Sequence, residues 1–181
     1  MSVKENVNII LDELKNNENY INYESFSSFI DEILNAKHIF LVGKGRSGLA
    51  ISGFANRLMH LGLSVSLVGE ISSPHTKEGD LLIVGSGSGE TLSLISLASL
   101  AKKDGVRIAL LTTNPKSSLS KLSDSVIVLP GNSKFGGQSI QPMASAFEQL
   151  SSIVYDAIIL ELMSILNQNS DKMFRRHANL E

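Results

Sequence analysis

Short apolar runs alternate with longer amphipathic segments along most of the chain. Five runs have the length and composition of buried strands: HIFLVG, SVSLVG, DLLIVGS, RIALLTT and SVIVLP. Helical spacing predicts helices between them, over Ser47 to Leu61, Glu90 to Lys103 and Ser117 to Leu122. Strands that are apolar on both faces and alternate with helices are typical of a parallel sheet covered on both sides. The pattern therefore predicts a doubly wound α/β domain.

The two ends of the chain are helical by the same criterion. Near the N-terminus the spacing predicts helices over Val3 to Lys15 and Ser25 to Asn35. Near the C-terminus it predicts one helix from about Pro142 to Asn167, preceded by the Gly-rich segment GNSKFGGQSIQP. This last helix is apolar around most of its circumference, which indicates burial on more than one side. One face is expected to pack on the sheet, and the other either inside the core or against another subunit.

Length and composition limit the number of domains and the kinds of partner. With 181 residues, 43% of them hydrophobic, the chain suits a single domain over 1–181. Its terminal helices occupy 1–37 and 141–181, and its α/β core occupies 38–140. A formal net charge of -2 without basic runs argues against nucleic acid. The longest apolar stretch, Ile153 to Leu166, is interrupted by two carboxylates and is too short to span a membrane.

Cysteine content and the first residues indicate the compartment and the available chemistry. The chain has no cysteine, which excludes disulfides, thiolate catalysis and Cys-based zinc sites and fits a reducing environment. Acidic and amide side chains occupy the first twenty residues, where a signal peptide needs an uninterrupted apolar stretch. No pair among the histidines has the spacing of a metal site. We expect a cytoplasmic protein with no metal.

Two glycine-rich loops follow the first and third predicted strands. The first, GKGRSG, contains Gly45, Arg46 and Ser47, and the second, GSGSGET, ends at Thr91. In a doubly wound sheet both loops leave the carboxyl edge and lead into helices, whose N-terminal amides favour an anion. Glycines let the backbone approach a phosphate, and the hydroxyls of the second loop are short donors to it. The pair predicts a monophosphate site, and the alternative is that glycines only turn the chain while hydroxyls cap a helix.

The first loop also satisfies the G-x-G-x-x-G fingerprint of dinucleotide-binding folds. Glu70 lies about 22 residues beyond Gly48, near the place of a ribose-binding acid. The second loop, the positive charges of Lys44 and Arg46, and a length short for two domains argue against this interpretation. Arg46 in the first turn of a helix opposes the helix dipole, so its presence favours an anionic ligand. NAD remains a remote alternative to a sugar phosphate.

Five segments in this order resemble the SIS (sugar isomerase) domain family: GKGRSGLA, RLMHLG, SGSGET, SIQPMASAFEQ and FRRHANLE. Within the family they are similar to the 6-phospho-3-hexuloisomerases, from about residue 22 to residue 181. The resemblance implies a five-stranded parallel sheet of flavodoxin-like or Rossmann-like type and a homotetramer. It implies interconversion of D-arabino-hex-3-ulose 6-phosphate with D-fructose 6-phosphate through a cis-enediol, without metal or organic cofactor. It also implies a place beside a hexulose-phosphate synthase, either in the ribulose monophosphate pathway of formaldehyde fixation or in the reverse direction, which makes pentose phosphates.

The resemblance also assigns the binding residues. It places the phosphate on the second loop, on the hydroxyls and amides of Ser86, Gly87, Ser88, Gly89 and Thr91. It places Ser47 against the sugar hydroxyls, and Gly45 and Arg46, which precede it in the first loop, also count as substrate-binding residues. The expected ligand is thus a phosphorylated ketohexose held between the two loops.

Two residues carry the implied catalysis. Glu148, in AFEQ, matches the position of the family's general base, and His177, in RRHANLE, is the candidate for a residue that reaches across from a neighbouring subunit. His60 and Gln149 are further candidates near the site. A carboxylate early in a helix is suited to moving a proton between adjacent carbons. The alternatives are an isomerase of another phosphosugar and a SIS module that senses a sugar phosphate without catalysis.

Overall fold

The computed structural model describes residues 1–131 and 139–180, so residues 132–138 of the Gly-rich segment lie outside the described part. The strands are β1 (Ile39–Gly43), β2 (Val65–Leu67), β3 (Leu81–Gly85), β4 (Arg107–Thr112) and β5 (Ser125–Val128). The helices are α1 (Val3–Glu18), α2 (Ser25–Asn35), α3 (Gly45–His60), α4 (Leu92–Lys103), α5 (Ser118–Leu122), α6 (Ser145–Ile165) and α7 (Ser170–Phe174). No helix among the described residues is long and apolar enough to cross a membrane.

All five strands form one parallel sheet in the order β2-β1-β3-β4-β5. This confirms the doubly wound α/β prediction, and the order is that of flavodoxin-like sheets, whereas dinucleotide-binding domains have the order 3-2-1-4-5-6. The order reverses between β1 and β3, and in this pair Gly43 lies opposite Gly85. Both glycine loops therefore leave the sheet side by side, at the place where ligands bind in such folds.

Each face of the sheet is covered by its own set of helices. One face, with Leu41 and Ile83, packs against α2, α3 and α6 and reaches α1 through Leu14. The other face, with Val42 and Val84, packs against α4 and α5. The strands β1, β3 and β4 are almost fully buried, as their apolar sequences predict. The edge strand β2 is only half-buried, so the expectation of two apolar faces is wrong for it.

The C-terminal helix differs from its prediction at its beginning. The chain forms a 3-10 helix (Pro142–Ala144) before α6, whereas α6 ends at Ile165, close to the predicted Asn167, and the short helix α7 follows beyond it. The break arises because Met143 and Ala144 have left-handed backbones, with φ of 57° and 65°. Left-handed residues other than glycine cost about 1–3 kcal/mol each, so the surrounding structure has to hold them. Apolar periodicity does not report such a turn.

Candidate active site

The first glycine loop brings α3 against the end of β1. A Cβ atom on Gly43 would lie 2.9 Å from the Cα of Gly48, so the strand and the helix can approach only because both residues are glycine. Helix α3 begins at Gly45, whose φ of 58° is left-handed. Lys44, the residue before the helix, makes no side-chain capping hydrogen bond. The first amides of α3 are therefore directed to the carboxyl edge without a side-chain cap.

The second loop is held in shape by its own hydroxyls and by β4. The buried Ser86 Oγ accepts a hydrogen bond from the Gly89 amide at 3.2 Å, and Ser88 Oγ accepts one from the next amide. The Gly87 carbonyl accepts hydrogen bonds from Thr113, through its amide at 3.0 Å and its hydroxyl at 2.8 Å. The loop is thus fixed before any ligand binds, which lowers the entropic cost of binding.

The exit of the second loop is tied to α5. Gly89 is left-handed, with φ of 66°, and a Cβ atom on it would lie 2.1 Å from Ser117 Oγ. The Glu90 carboxylate accepts a hydrogen bond from the Ser118 amide at 2.8 Å. Hydrogen bonds from Ser118 hold the pKa of Glu90 below its usual value. Glycine is required here by both the backbone and the space.

Backbone amides of the second loop are available to an anion. Within the described part of the chain, the amides of Gly87, Ser88 and Thr91 have no hydrogen-bond acceptor. Thr91 precedes α4 but makes no capping hydrogen bond, whereas Ser2, Ser117 and Asn169 do cap their helices. The interpretation of the second loop as a set of helix caps is therefore not favoured. Free amides at a helix N-terminus are a phosphate-binding arrangement.

Glu148 faces both loops from the first turn of α6. Its carboxyl oxygen Oε2 accepts a hydrogen bond from Arg46 Nε at 2.5 Å. Only 8% of Glu148 is exposed, whereas the Arg46 side chain is 60% exposed. Its neighbour Phe147 packs on the second loop, since a Cβ atom on Gly87 would lie 3.1 Å from its ring. A buried carboxylate is thus held beside a solvent-exposed cation.

A cavity of about 230 Å³ lies between the two loops and α6. It brings together eight of the predicted site residues: Gly45, Arg46, Ser47, Ser86, Gly87, Ser88, Thr91 and Glu148. Arg46 and Glu148 also line a second cavity, of about 330 Å³, together with Leu49 and Gln149. Gly89 does not line the cavity between the loops, and it lies against Ser117 instead. The predicted phosphate site and the predicted base therefore share one space.

The two histidine candidates lie elsewhere in the chain. His60 and His177 stack on each other, with ring centroids 5.3 Å apart, beside a cavity of about 420 Å³ at the far end of α6. Arg176 Nη1 donates a hydrogen bond to the His60 carbonyl at 3.0 Å and so fastens this segment to α3. The structure does not bring either histidine to Glu148 within one chain, so their catalytic role stays a prediction. No metal-binding cluster is found over 1–131 and 139–180.

The fold and site geometry agree with one family. Residues 32–160 match the sequence profile of the SIS domain. The chain belongs to the SIS domain family. The resemblance inferred from the five sequence segments is thereby confirmed.

Relatives of this SIS domain protein cover its whole length. It is 48% identical over 185 residues to a 3-hexulose-6-phosphate isomerase of Bacillus subtilis (strain 168), with 100% of both chains covered. A 3-hexulose-6-phosphate isomerase of Mycobacterium gastri is 37% identical, over 99% of this chain and 92% of the relative. A crystal structure from Methanococcus jannaschii, inferred to have the molecular function of 3-hexulose-6-phosphate isomerase, is 34% identical with a TM-score of 0.86. That match covers 98% of this chain and 99% of the other.

Several residues that shape the SIS site were not among the predicted site residues. Lys44, Ala144 and Phe147 line the cavity between the loops, and Thr112 and Thr113 hold the second loop through Gly87. Thr112 is the last residue of β4 and Thr113 follows it at the same carboxyl edge, so their place at the end of the predicted strand RIALLTT was a usable signal. Ala144 had no such signal, because its position depends on a left-handed turn inside a predicted helix.

Proposed function

We propose that this chain interconverts D-arabino-hex-3-ulose 6-phosphate and D-fructose 6-phosphate, with Glu148 as the base. One observation supports the assignment of the base above all. The carboxylate of Glu148 lines the same cavity as the uncapped amides and hydroxyls of the second glycine loop. The full-length relatives named 3-hexulose-6-phosphate isomerase support the choice of substrate. A phosphate bound at the second loop would leave the carbon chain to extend toward α6.

Glu148 has the position needed for a proton shuttle. Moving the carbonyl from C3 to C2 requires removal of the C2 proton, formation of a 2,3-enediol and return of a proton to C3, while the O2 proton moves to O3. One carboxylate above the plane of these carbons can perform both transfers. In the structure Glu148 is the acidic residue of the first turn of α6, and it is nearly buried. Its low exposure keeps bulk water from competing for the proton.

Arg46 would act on the oxygens while Glu148 acts on the carbon. In the described structure its Nε–H donates to Glu148, and its exposed guanidinium has further N–H donors. Negative charge develops on O2 or O3 as the enediolate forms, and preorganised donors stabilise such charge. We infer that Arg46 turns part of its guanidinium from Glu148 to these oxygens when substrate binds.

Substrate ring opening is needed in one direction only. The 3-ketose cannot form a five- or six-membered ring when O6 is phosphorylated, since closure through O5 would give a four-membered ring. The ring of fructose 6-phosphate, in contrast, must be opened to give a carbonyl at C2 before the base can remove the C3 proton. A histidine is a suitable acid and base for that step, and His177 of a second copy is the proposed residue.

The assembly we propose is a homotetramer in which α6 contacts another copy. Ile153 is 53% exposed and Leu160 is 68% exposed, and their spacing places them on one face of α6. From Glu148 to Leu160 the helix rises about 18 Å, so an antiparallel α6 pair would carry His177 of one copy toward Glu148 of the other. Functional coupling to a hexulose-phosphate synthase and a cytoplasmic location stay predictions.

A coupled assay tests the reaction and the base together. Purified protein is mixed with hex-3-ulose 6-phosphate, generated by a synthase from ribulose 5-phosphate and formaldehyde, and formation of fructose 6-phosphate is followed. The wild type is expected to turn over with or without EDTA. Glu148→Gln keeps the size of the side chain but removes the base, and we expect kcat to fall by about a hundredfold to ten-thousandfold. Glu161→Gln, on an exposed turn of the same helix, is the matched control and should keep wild-type kcat.

Each contrary result would overturn a different part of the proposal. No turnover by the wild type would redirect the assignment to another phosphosugar or to a sensing role. Full activity in Glu148→Gln would place the base elsewhere. Loss of activity in EDTA would contradict the prediction that no metal takes part.

A further inference from the structure

Gln141 joins three segments of the chain through one carboxamide. Its Nε2 donates a hydrogen bond to Glu13 Oε2 on α1 at 3.0 Å and another to Gln149 Oε1 on α6 at 2.9 Å. All three side chains are half-buried. Gln149 is the residue after Glu148, so the bridge from α1 ends one position from the proposed base.

The bridge adjoins the strained turn from which α6 starts. Met143 and Ala144 follow Gln141 closely and both have left-handed backbones, which residues with a Cβ atom rarely adopt. On one side of this turn stands Gln141, and on the other Ser145 Oγ donates a hydrogen bond to the Pro142 carbonyl at 2.7 Å. Ala144 lines the same cavity as Glu148. The conformation of the turn therefore decides where the first turn of α6 presents its carboxylate.

Glu13 and Gln141 lie outside the cavity between the glycine loops as the structure describes it. In the described part of the chain neither residue makes a hydrogen bond to Arg46, whose side-chain partner is Glu148. Helix α1 also lies outside the residues that match the SIS profile. A contribution of these two residues to the reaction has to pass through the geometry of α6.

We propose that the Glu13–Gln141–Gln149 bridge is a positioning device, which holds the left-handed turn and so fixes Glu148 against its substrate. This inference rests on the proposed role of Glu148 as the base. Glu13 and Gln141 are positioning residues, and their hydrogen bond links the turn to α1. Displacement of a catalytic group by as little as about 1 Å from a distant change can cost a hundredfold in rate.

Substitutions at Glu13 test the bridge without touching the site. Glu13→Ala removes the acceptor for Gln141, and we expect kcat to fall by about tenfold to a hundredfold with KM changed less than about twofold. Glu13→Gln restores an acceptor oxygen at the same reach and should recover at least about half of the wild-type kcat. Asp12→Ala removes the same charge from the neighbouring exposed position of α1 and should leave kcat unchanged.

A double variant distinguishes positioning from general loss of stability. If Glu13 acts only through Gln141, the variant Glu13→Ala/Gln141→Ala will be no slower than Gln141→Ala alone, because coupled residues are not additive. Should Glu13→Ala fail to fold, Glu13→Asp shortens the same carboxylate by one methylene and takes its place in the assay. Full kcat in the folded variant, additive losses, or a Glu13→Gln variant as slow as Glu13→Ala would each overturn the inference. Activity in Glu148→Gln would instead contradict the assignment of Glu148 as the base, so failure of the proposed function and failure of the bridge inference give different results.

Discussion

A single buried tyrosine lies directly under the glycine loops. The hydroxyl of Tyr155 would be 3.0 Å from a Cβ atom on Gly85, and its ring stacks on Phe54 with centroids 4.5 Å apart. Only 2% of Tyr155 is exposed, and burial raises the pKa of its hydroxyl well above the ordinary value. The site therefore rests on a phenol that stays neutral to a higher pH than an exposed tyrosine does.

Burial of Tyr155 predicts a steeper loss of stability in alkali. Because the pKa is raised in the folded state, the stabilisation is complete below the unfolded pKa of about 10 and is lost as the pH rises toward the folded pKa. The free energy of unfolding should fall by about 1.4 kcal/mol per pH unit from this residue above about pH 10. Urea unfolding at several alkaline pH values measures the slope.

The tyrosine variants identify the source of that slope. Tyr155→Phe removes the ionisable group and should flatten the alkaline slope, even if the variant is less stable at neutral pH. Tyr20→Phe is the control, since Tyr20 is 77% exposed and should leave the slope unchanged. An unchanged slope in Tyr155→Phe would show that another group dominates alkaline unfolding.

At the scale of elements, the two loops use left-handed glycines for different reasons. Gly45 has φ of 58° and nothing within 4 Å of an added Cβ atom, so only its backbone conformation requires glycine. Gly89 has φ of 66° and also meets Ser117 at 2.1 Å. The first loop is open toward the ligand, and the second is packed against α5. The second loop is thus the more rigid half of the site.

This difference predicts that replacing glycine by alanine lowers the free energy of unfolding by different amounts in the two loops. Gly45→Ala should lower the free energy of unfolding by about 1–2 kcal/mol, the cost of a left-handed residue with a Cβ atom. Gly89→Ala carries the same cost and must also displace Ser117, so its loss should be clearly larger. Urea unfolding of both variants at neutral pH measures the two values. Equal losses would mean that α5 moves away without cost.

Sequence patterns predicted the elements well and their junctions poorly. The glycine loops and Glu148 were found because strand ends, glycine spacing and family segments are local signals. The turn at Met143 and Ala144 was missed, since neither residue is one that favours a left-handed backbone. The contact of Gln141 with Glu13 spans 128 positions and has no periodic signal. The stacking of His177 on His60 was missed for the same reason.

At the scale of the whole molecule, the separate places of Glu148 and His177 imply a second copy if both act on one substrate. They line separate cavities of the same chain, one at each end of α6. Two copies paired through the exposed face of α6 would combine one residue from each. Closed two-fold symmetry would then generate two equivalent sites per pair.

Mixing inactive variants tests whether the site is shared. Glu148→Gln and His177→Ala should each be slow alone, whereas oligomers assembled from both should recover about a quarter of the wild-type sites under random pairing. Co-refolded mixtures are assayed with fructose 6-phosphate as the substrate, the direction in which the sugar ring has to be opened, and sedimentation confirms that they are oligomers. Recovery no greater than the average of the two separate variants would place both residues on one chain or remove His177 from the reaction.

The order of the strands separates the site from the weakest part of the sheet. In the described structure the edge strand β2 has three residues, is half-buried and pairs with β1 alone, while the glycine loops leave the inner pair β1 and β3. Fraying begins where few buried contacts resist it. Thermal fluctuations can therefore detach β2 from β1 while Gly43 stays paired with Gly85. The edge of the sheet can thus unfold locally while the two glycine loops of the candidate site keep their arrangement.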